Sequence, residues 1–375
     1  MGQIPFQRKF HRLSVLLFLA LFLLTDPATK KATGRPETCG NGICDAGENR
    51  LNCLQDCGIF FRRKRPAAPT PSKDLGPGDH TFSVTHEGSA RVYKVHVPPS
   101  YDEKTPLPMI LNFHGGGGNA DAQMKLTCPD GNLSNPGCLN KLADRESFIV
   151  VYPEGVSSPI LRRLRTWNAG NCCGTAVEKK VDDVGFVSKM IDQLQRDFSI
   201  DSRRIYATGM SNGGIMSHRL ACELSDKIAA IAPVSGGIGV ASCNPERPVP
   251  ILHFHGTADP TYPFLGGVGS GPNKTNFTSI PETISGWVAR NGCNPDPVVE
   301  NLPDAVEDGT TVNRESYRGC KNGADVILYK IHGAGHGWPR GYQFFPESRV
   351  GKITHDISAN EVMWEFFKRH PMSKK

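Results

Sequence analysis

Past about residue 80, short apolar runs alternate with turn-forming stretches, and eight of them read as strands: Thr81–Val84, Arg91–Val97, Met109–Phe113, Phe148–Tyr152, Arg204–Thr208, Ile228–Val234, Ile251–His255 and Val326–Ile331. Between the fourth and fifth, Val187, Met190, Ile191, Leu194 and Phe198 recur at helical spacing. Asp182 and Asp183 stand where a first helical turn needs capping. Ile215 to Glu223 reads as a second helix. Ala359 to Lys368 reads as a third, with Ser358 and Glu361 spaced for a capping box. Early strands followed by β-α-β alternation predict an α/β fold, a mostly parallel twisted sheet with helices on both faces.

The first eighty residues break this rhythm. Basic residues and then the apolar run Leu13–Leu24 predict a signal peptide over 1–25, because a dozen apolar residues fall short of the ~20 needed to span a bilayer. Residues 38–58 hold Cys39, Cys44, Cys53 and Cys57, too few residues to enclose a core, so cross-links or a metal must hold this small module. Its Asn41, Asp45, Glu48, Asn49 and Asp56 offer hard oxygen ligands that suit calcium better than zinc. The stretch resembles the short Cys-Gly-Asn-Gly-x-Cys-Asp modules of secreted proteins and, more distantly, the calcium-binding Notch-type repeat. It is shorter than a full repeat, so two disulfides with solvated acids are expected, and calcium is the alternative. Residues 59–79 form an extended linker rich in proline and basic residues. Pro66, directly after Arg62–Arg65, disfavours processing at that run. The remaining 80–375 constitute the main domain.

Composition narrows the class. At 375 residues with 38% hydrophobic and 21% charged residues, the chain can bury a large core. The formal charge of +6 sits largely in the N-terminus, the linker and the last two lysines, with no basic face interleaved with aromatics, which argues against a nucleic-acid partner. Nothing after the signal is long and apolar enough to cross a membrane. Twelve cysteines and the sequons at Asn132, Asn273 and Asn276 point to an exported, extracellular and disulfide-bonded protein.

The chemistry concentrates in three loops. Gly209-Met210-Ser211-Asn212-Gly213 follows a strand and precedes a helix. A serine presented on such a turn needs glycine two positions before and after it to avoid collision. Its hydroxyl needs a base, and the base an orienting acid, which in this arrangement follow later in the chain. Asp259 leaves the strand Ile251–His255, so it is the expected acid. His332 and His336 both follow the last strand, and the glycine-flanked His336 is preferred as the base. His253 and His255, on or at the end of a strand, read as structural. The amide of Asn212 and one from Gly115 or Gly116 would form an oxyanion hole, each donor contributing about 3 kcal/mol. No Gly-Lys-Ser/Thr follows the glycine loop, so phosphate binding is disfavoured.

These pieces resemble the secreted polyhydroxybutyrate-depolymerase-like esterases, relatives of feruloyl and acetylxylan esterases. The resemblance is carried by His114-Gly-Gly-Gly-Gly, Thr166-Trp-Asn-Ala-Gly170 with Cys172-Cys173-Gly174, Val181-Asp-Asp-Val-Gly-Phe186, Gly209-Met-Ser-Asn-Gly-Gly214, His255-Gly-Thr-Ala-Asp259 and Gly335-His336-Gly-Trp338-Pro339. It implies an α/β-hydrolase cleaving esters, polymer-linked ones among them, with no cofactor and no metal. It also suggests that Trp167 and Trp338 line the substrate cleft, the alternative being two core tryptophans. Cys293 and Cys320 match a disulfide of such proteins; proximity favours Cys128–Cys138 and Cys222–Cys243, and the state of Cys172 and Cys173 stays open. Two other readings compete: a secreted binding protein that merely keeps the scaffold, and a serine peptidase.

Overall fold

A computed structural model describes residues 75–158, 164–271 and 274–373, all within the compact unit Ala68–Lys375. The expected signal peptide, cysteine module with its calcium alternative, Asn273 and most of the linker lie outside the described residues. The linker boundary at 79/80 falls within the first strand, which begins at Gly78.

Ten strands build one sheet: β1 (Gly78–His86), β2 (Ser89–Val97), β3 (Leu107–Phe113), β4 (Ile149–Pro153), β5 (Ile200–Met210), β6 (Ala230–Val234), β7 (Ile251–Gly256), β8 (Val298–Asn301), β9 (Thr311–Tyr317) and β10 (Val326–His332). Their order across it is β1-β2-β4-β3-β5-β6-β7-β10-β9-β8. The middle run from β4 to β10 is parallel, and the flanking pairs are antiparallel. Burial explains the difference. Every residue of β3, β6 and β7 is buried, as befits strands covered on both faces, whereas β1 and β2 alternate between buried and more exposed positions. All eight strands expected from the pattern are present. β8 and β9 went unread because β8 is exposed throughout and β9 is mostly half-buried, so neither carries an apolar run.

The sheet separates two cores. Met109, Leu111 and Phe113 of β3 point to one side, with Phe186, Val187, Met190, Ile191 and Leu194 of the helix Asp183–Asp197. Ile110 points to the other, with Met363, Trp364, Phe366 and Phe367 of the last helix. The described helices that matter here are α1 (Asp183–Asp197), α2 (Asn212–Glu223), α3 (Ile280–Asn291) and α4 (Ala359–Lys368).

Two capping expectations need correction. Asp182 caps α1 by accepting the Gly185 amide, but Asp183 is inside the helix and fully buried, where it binds Arg91 at 2.6 Å and the Asn168 amide at 2.7 Å. At α4, Ser358 accepts the Glu361 amide, yet the Glu361 carboxylate turns to Arg145 at 2.9 Å instead of closing the box. A complete box lies at α3, between Ser279 and Glu282.

Disulfides join Cys128–Cys138, Cys222–Cys243 and Cys293–Cys320, and Cys172 is joined to Cys173.

Candidate active site

Strand β5 ends at Met210 and α2 begins at Asn212, leaving Ser211 as the turn between them. Its φ of 57° and ψ of −119° put a non-glycine residue in a region that side chains seldom adopt, a strain the surroundings must hold. The flanking glycines make the turn possible. A Cβ on Gly213 would lie 2.1 Å from the Phe113 carbonyl oxygen, and one on Gly209 2.5 Å from the same atom. The turn therefore presses directly against the end of β3, where the next functional loop starts.

Asp259 follows β7 and His336 follows β10, and these neighbouring parallel strands deliver them to the same sheet edge as Ser211. The His336 Nδ1–H donates to Asp259 Oδ2 at 2.6 Å. Asp259 Oδ1 accepts the amides of Thr261 and Tyr262, each at 2.8 Å, so the buried carboxylate has a fixed orientation. His332 ends β10, and His336, not His332, is the histidine bonded to the acid. The glycine before His336 permits close packing, because a Cβ on Gly335 would collide with the Val350 carbonyl, and the His336 amide is bonded to that same oxygen. The Ser211 hydroxyl makes no hydrogen bond among the described residues; such bonds often tighten only when substrate arrives.

The third loop follows β3. Gly117 and Gly118 commit their amides to the carbonyls of Arg165 and Gly115, while those of Gly115 and Gly116 have no acceptor among the described residues. A Cβ on Gly115 would stand 3.5 Å from Ser211 Cβ, and one on Gly116 3.7 Å from Asn212 Cβ, so both free amides border the serine turn. The Asn212 amide, at the first position of α2, likewise has no acceptor among those residues.

A side-chain framework that sequence reading did not reach holds this loop. His114 is buried; its Nε2 accepts the Gly155 amide at 3.0 Å and its Nδ1–H donates to the Gly115 carbonyl at 2.8 Å. The Asn212 side chain accepts the Trp167 amide at 2.8 Å and donates to the Trp167 carbonyl at 3.1 Å. Trp167 Nε1–H donates to the His114 carbonyl at 3.0 Å.

The two tryptophans are thus corrected. Both are fully buried and present no surface to a substrate. Trp167 packs edge-on against Phe113 behind the glycine loop. Trp338 belongs to the second core and donates to Asn360 Oδ1 at 3.1 Å.

Burial has a pH consequence. It lowers the His114 pKa to about 4 and that of His218 on α2 to about 3, both from an ordinary 6.5. Above pH 6.5 these rings are neutral whether the chain is folded or not. Between 6.5 and 4 the unfolded chain takes up protons that the folded chain excludes, so acid favours unfolding. Equilibrium urea unfolding should show a midpoint that falls steadily over this interval. A midpoint constant from pH 6.5 down to 4 would contradict the buried, neutral state of these rings.

The comparisons with known proteins agree with this architecture. A family model described as "Esterase PHB depolymerase" matches residues 91–244, the stretch that includes the glycine loop and the serine turn. Putative esterase NocK of Nocardia uniformis subsp. tsuyamanensis is 29% identical over 297 residues, covering 76% of this chain and 80% of that protein. Feruloyl esterase B of Piromyces equi is 32% identical over 253 residues, or 64% of this chain and 42% of the relative. Probable feruloyl esterase C of Aspergillus niger is 28% identical, covering 79% and 90% respectively. Among solved structures, the acetyl xylan esterase from Aspergillus awamori shares the fold, with a TM-score of 0.50 at 16% identity over 77% of this chain and 99% of that one.

Proposed function

The chain belongs to the polyhydroxybutyrate-depolymerase-like and feruloyl-esterase-like family of α/β-hydrolases and is a carboxylic ester hydrolase, and we propose that it works through an acyl-enzyme on Ser211. The His336–Asp259 hydrogen bond carries this reading. With its proton held on Nδ1, His336 keeps a lone pair on Nε2, the atom available to a serine hydroxyl. His336 takes the Ser211 proton as the oxygen attacks the ester carbonyl. The resulting oxyanion is met by the amides of Asn212 and of Gly115 or Gly116, which need no reorganisation because no acceptor among the described residues occupies them. The tetrahedral intermediate collapses as the protonated His336 gives its proton to the departing alcohol. Water, deprotonated by the same ring, then releases the acid and regenerates the serine.

The substrate is read as a feruloyl or acetyl ester on plant polysaccharide, in keeping with the names of the relatives and of the acetyl xylan esterase that shares the fold. Secretion is part of the proposal. Four disulfides among the described residues and the exposed sequon residue Asn132 suit an oxidising compartment, as does the apolar run Leu13–Leu24. Within it, 1–25 is the signal, 38–58 a separate cysteine module, and the catalytic domain begins near residue 80. Among the described residues no helix is long and apolar enough to cross a membrane.

Two measurements test the reading. Intact-mass analysis after a fluorophosphonate should show one adduct on Ser211, and an unmodified protein would remove the acyl-enzyme. A panel of methyl ferulate, acetylated xylan and hydroxybutyrate oligomers should then be cleaved with preference for the first two. Preference for the oligomers would transfer the substrate to the polyhydroxyalkanoate class named by the family model.

A further inference from the structure

Behind Asp259 runs a chain of three buried imidazoles that the mechanism above does not use. His253 and His255 lie on β7 and face the same side of the sheet as His218 of α2, beneath Trp287 of α3. Trp287 Nε1 is 3.0 Å from His218 Nδ1, His218 Nε2 is 3.3 Å from His253 Nδ1, and His253 Nε2 is 3.2 Å from His255 Nδ1. The far end, His255 Nε2, lies 2.9 Å from the Tyr262 carbonyl and 3.5 Å from Asp259 Oδ2. All three rings are buried to 1% exposure or less.

The ends of this chain determine every proton in it. An indole N–H can only donate, so His218 Nδ1 must accept and its Nε2 must carry the hydrogen. The same logic passes to His253 and then to His255, whose Nε2–H meets an acceptor-only carbonyl. A second proton on any ring would set two N–H groups face to face, so all three stay neutral; burial, which depresses their pKa values, acts the same way.

We infer that the His218–His253–His255 chain is a positioning device for the catalytic acid: it commits the His255 N–H to the buried side of Asp259 and so sets that carboxylate's orientation and its basicity toward His336. The link has two parts. The His255 N–H holds the carbonyl of Tyr262, the backbone N–H of that residue is bonded to Asp259 Oδ1, and the same imidazole N–H dipole faces Asp259 Oδ2. The inference rests on Asp259 and His336 being the acid and base proposed above. Other charged or titratable groups near the chain are His336 beyond Asp259, Arg290 and Glu282 on α3, and Lys330, which is paired with His255 across β10 and reaches Glu315 at 3.8 Å. Among the described residues none of them is hydrogen-bonded to His255, whose Nε2 has only the Tyr262 carbonyl and Asp259 beside it.

The first test needs no turnover. In 15N-labelled wild-type protein, NMR should find His218, His253 and His255 as Nε2–H rings that do not titrate between about pH 5 and 8, where ordinary histidines do. An Nδ1–H ring at His253, or titration of any of the three, overturns the proposal, whatever the fate of the catalytic assignment. The second test is the pH profile of kcat/KM. In His255→Leu the carboxylate loses a stabilising dipole, becomes more basic and holds the His336 proton more tightly. The acid limb should therefore move up by about half a unit or more, with kcat reduced and KM little changed. His255→Gln, which can place an N–H at the Nε2 position, should restore the wild-type limb. Ile284→Ala, a buried change on α3, should lower the melting temperature and leave the limb in place. A His255→Leu limb that is unchanged or shifted downward, as simple loosening of the Asp259–His336 pair would give, refutes the proposal. Should Ser211→Ala stay active, the catalytic reading fails, and the NMR result stands apart from it.

Discussion

Ser211→Ala should lower kcat by about 10⁴- to 10⁶-fold, leaving only what the oxyanion amides and substrate binding provide over water. The loss is expected in kcat with KM nearly unchanged, because the hydroxyl becomes a bond-forming atom only during reaction. The half-buried serine sits on a turn held by Gly209 and Gly213 against Phe113, and removing one oxygen disturbs none of those contacts. Folding should accordingly be intact by thermal melting. Steady-state kinetics on methyl ferulate, with active-site titration of the wild type for comparison, decides the matter. A variant retaining a hundredth of the wild-type rate would rule out the serine as nucleophile.

Asp259→Asn should cost about 10⁴-fold in kcat near neutral pH, and the geometry gives the reason. Oδ1 of Asp259 accepts two backbone amides, from Thr261 and Tyr262, so in the asparagine the carbonyl oxygen must remain there. The NH₂ group is then forced to the Oδ2 position, facing His336 Nδ1. That nitrogen must accept, its hydrogen moves to Nε2, and the base loses the lone pair it needs. Thermal stability should fall modestly, since the replacement keeps shape and both amide bonds at Oδ1 while its NH₂ faces the His255 N–H. Kinetics together with the imidazole 15N shifts of His336 provide the check. An Asn variant with near-normal kcat, or with His336 still protonated on Nδ1, would contradict the proposed role of the acid.

Legibility followed burial. Strands covered on both faces, such as Met109–Phe113 and Ile251–His255, announce themselves as apolar runs, and the serine turn is legible because steric need reduces its neighbours to glycine. The edge strand β8 and its neighbour β9 carry no such signal. Asp259 and His336 can be proposed as acid and base because each follows a legible strand, and their side chains are hydrogen-bonded to each other. What could not be read was partnership between distant residues. Whether Trp167 faces a cleft or the His114 carbonyl, and whether Asp183 caps a helix or meets Arg91, depends on residues far away in sequence. The imidazole chain is the extreme case. His218, His253 and His255 look ordinary along the sequence, and only the stacking of α2 and α3 on β7 lines them up.

The serine turn, the acid loop and the histidine loop leave β5, β7 and β10, and the chain must travel from position 211 to position 336 before the last of them exists. β10 closes the parallel run by lying beside β7, a contact between segments more than seventy residues apart. No piece that stops short of β10 brings the three loops together. Turnover thus requires β5, β7 and β10 to be in place together, and during refolding its return should report that long-range assembly and not the formation of local structure.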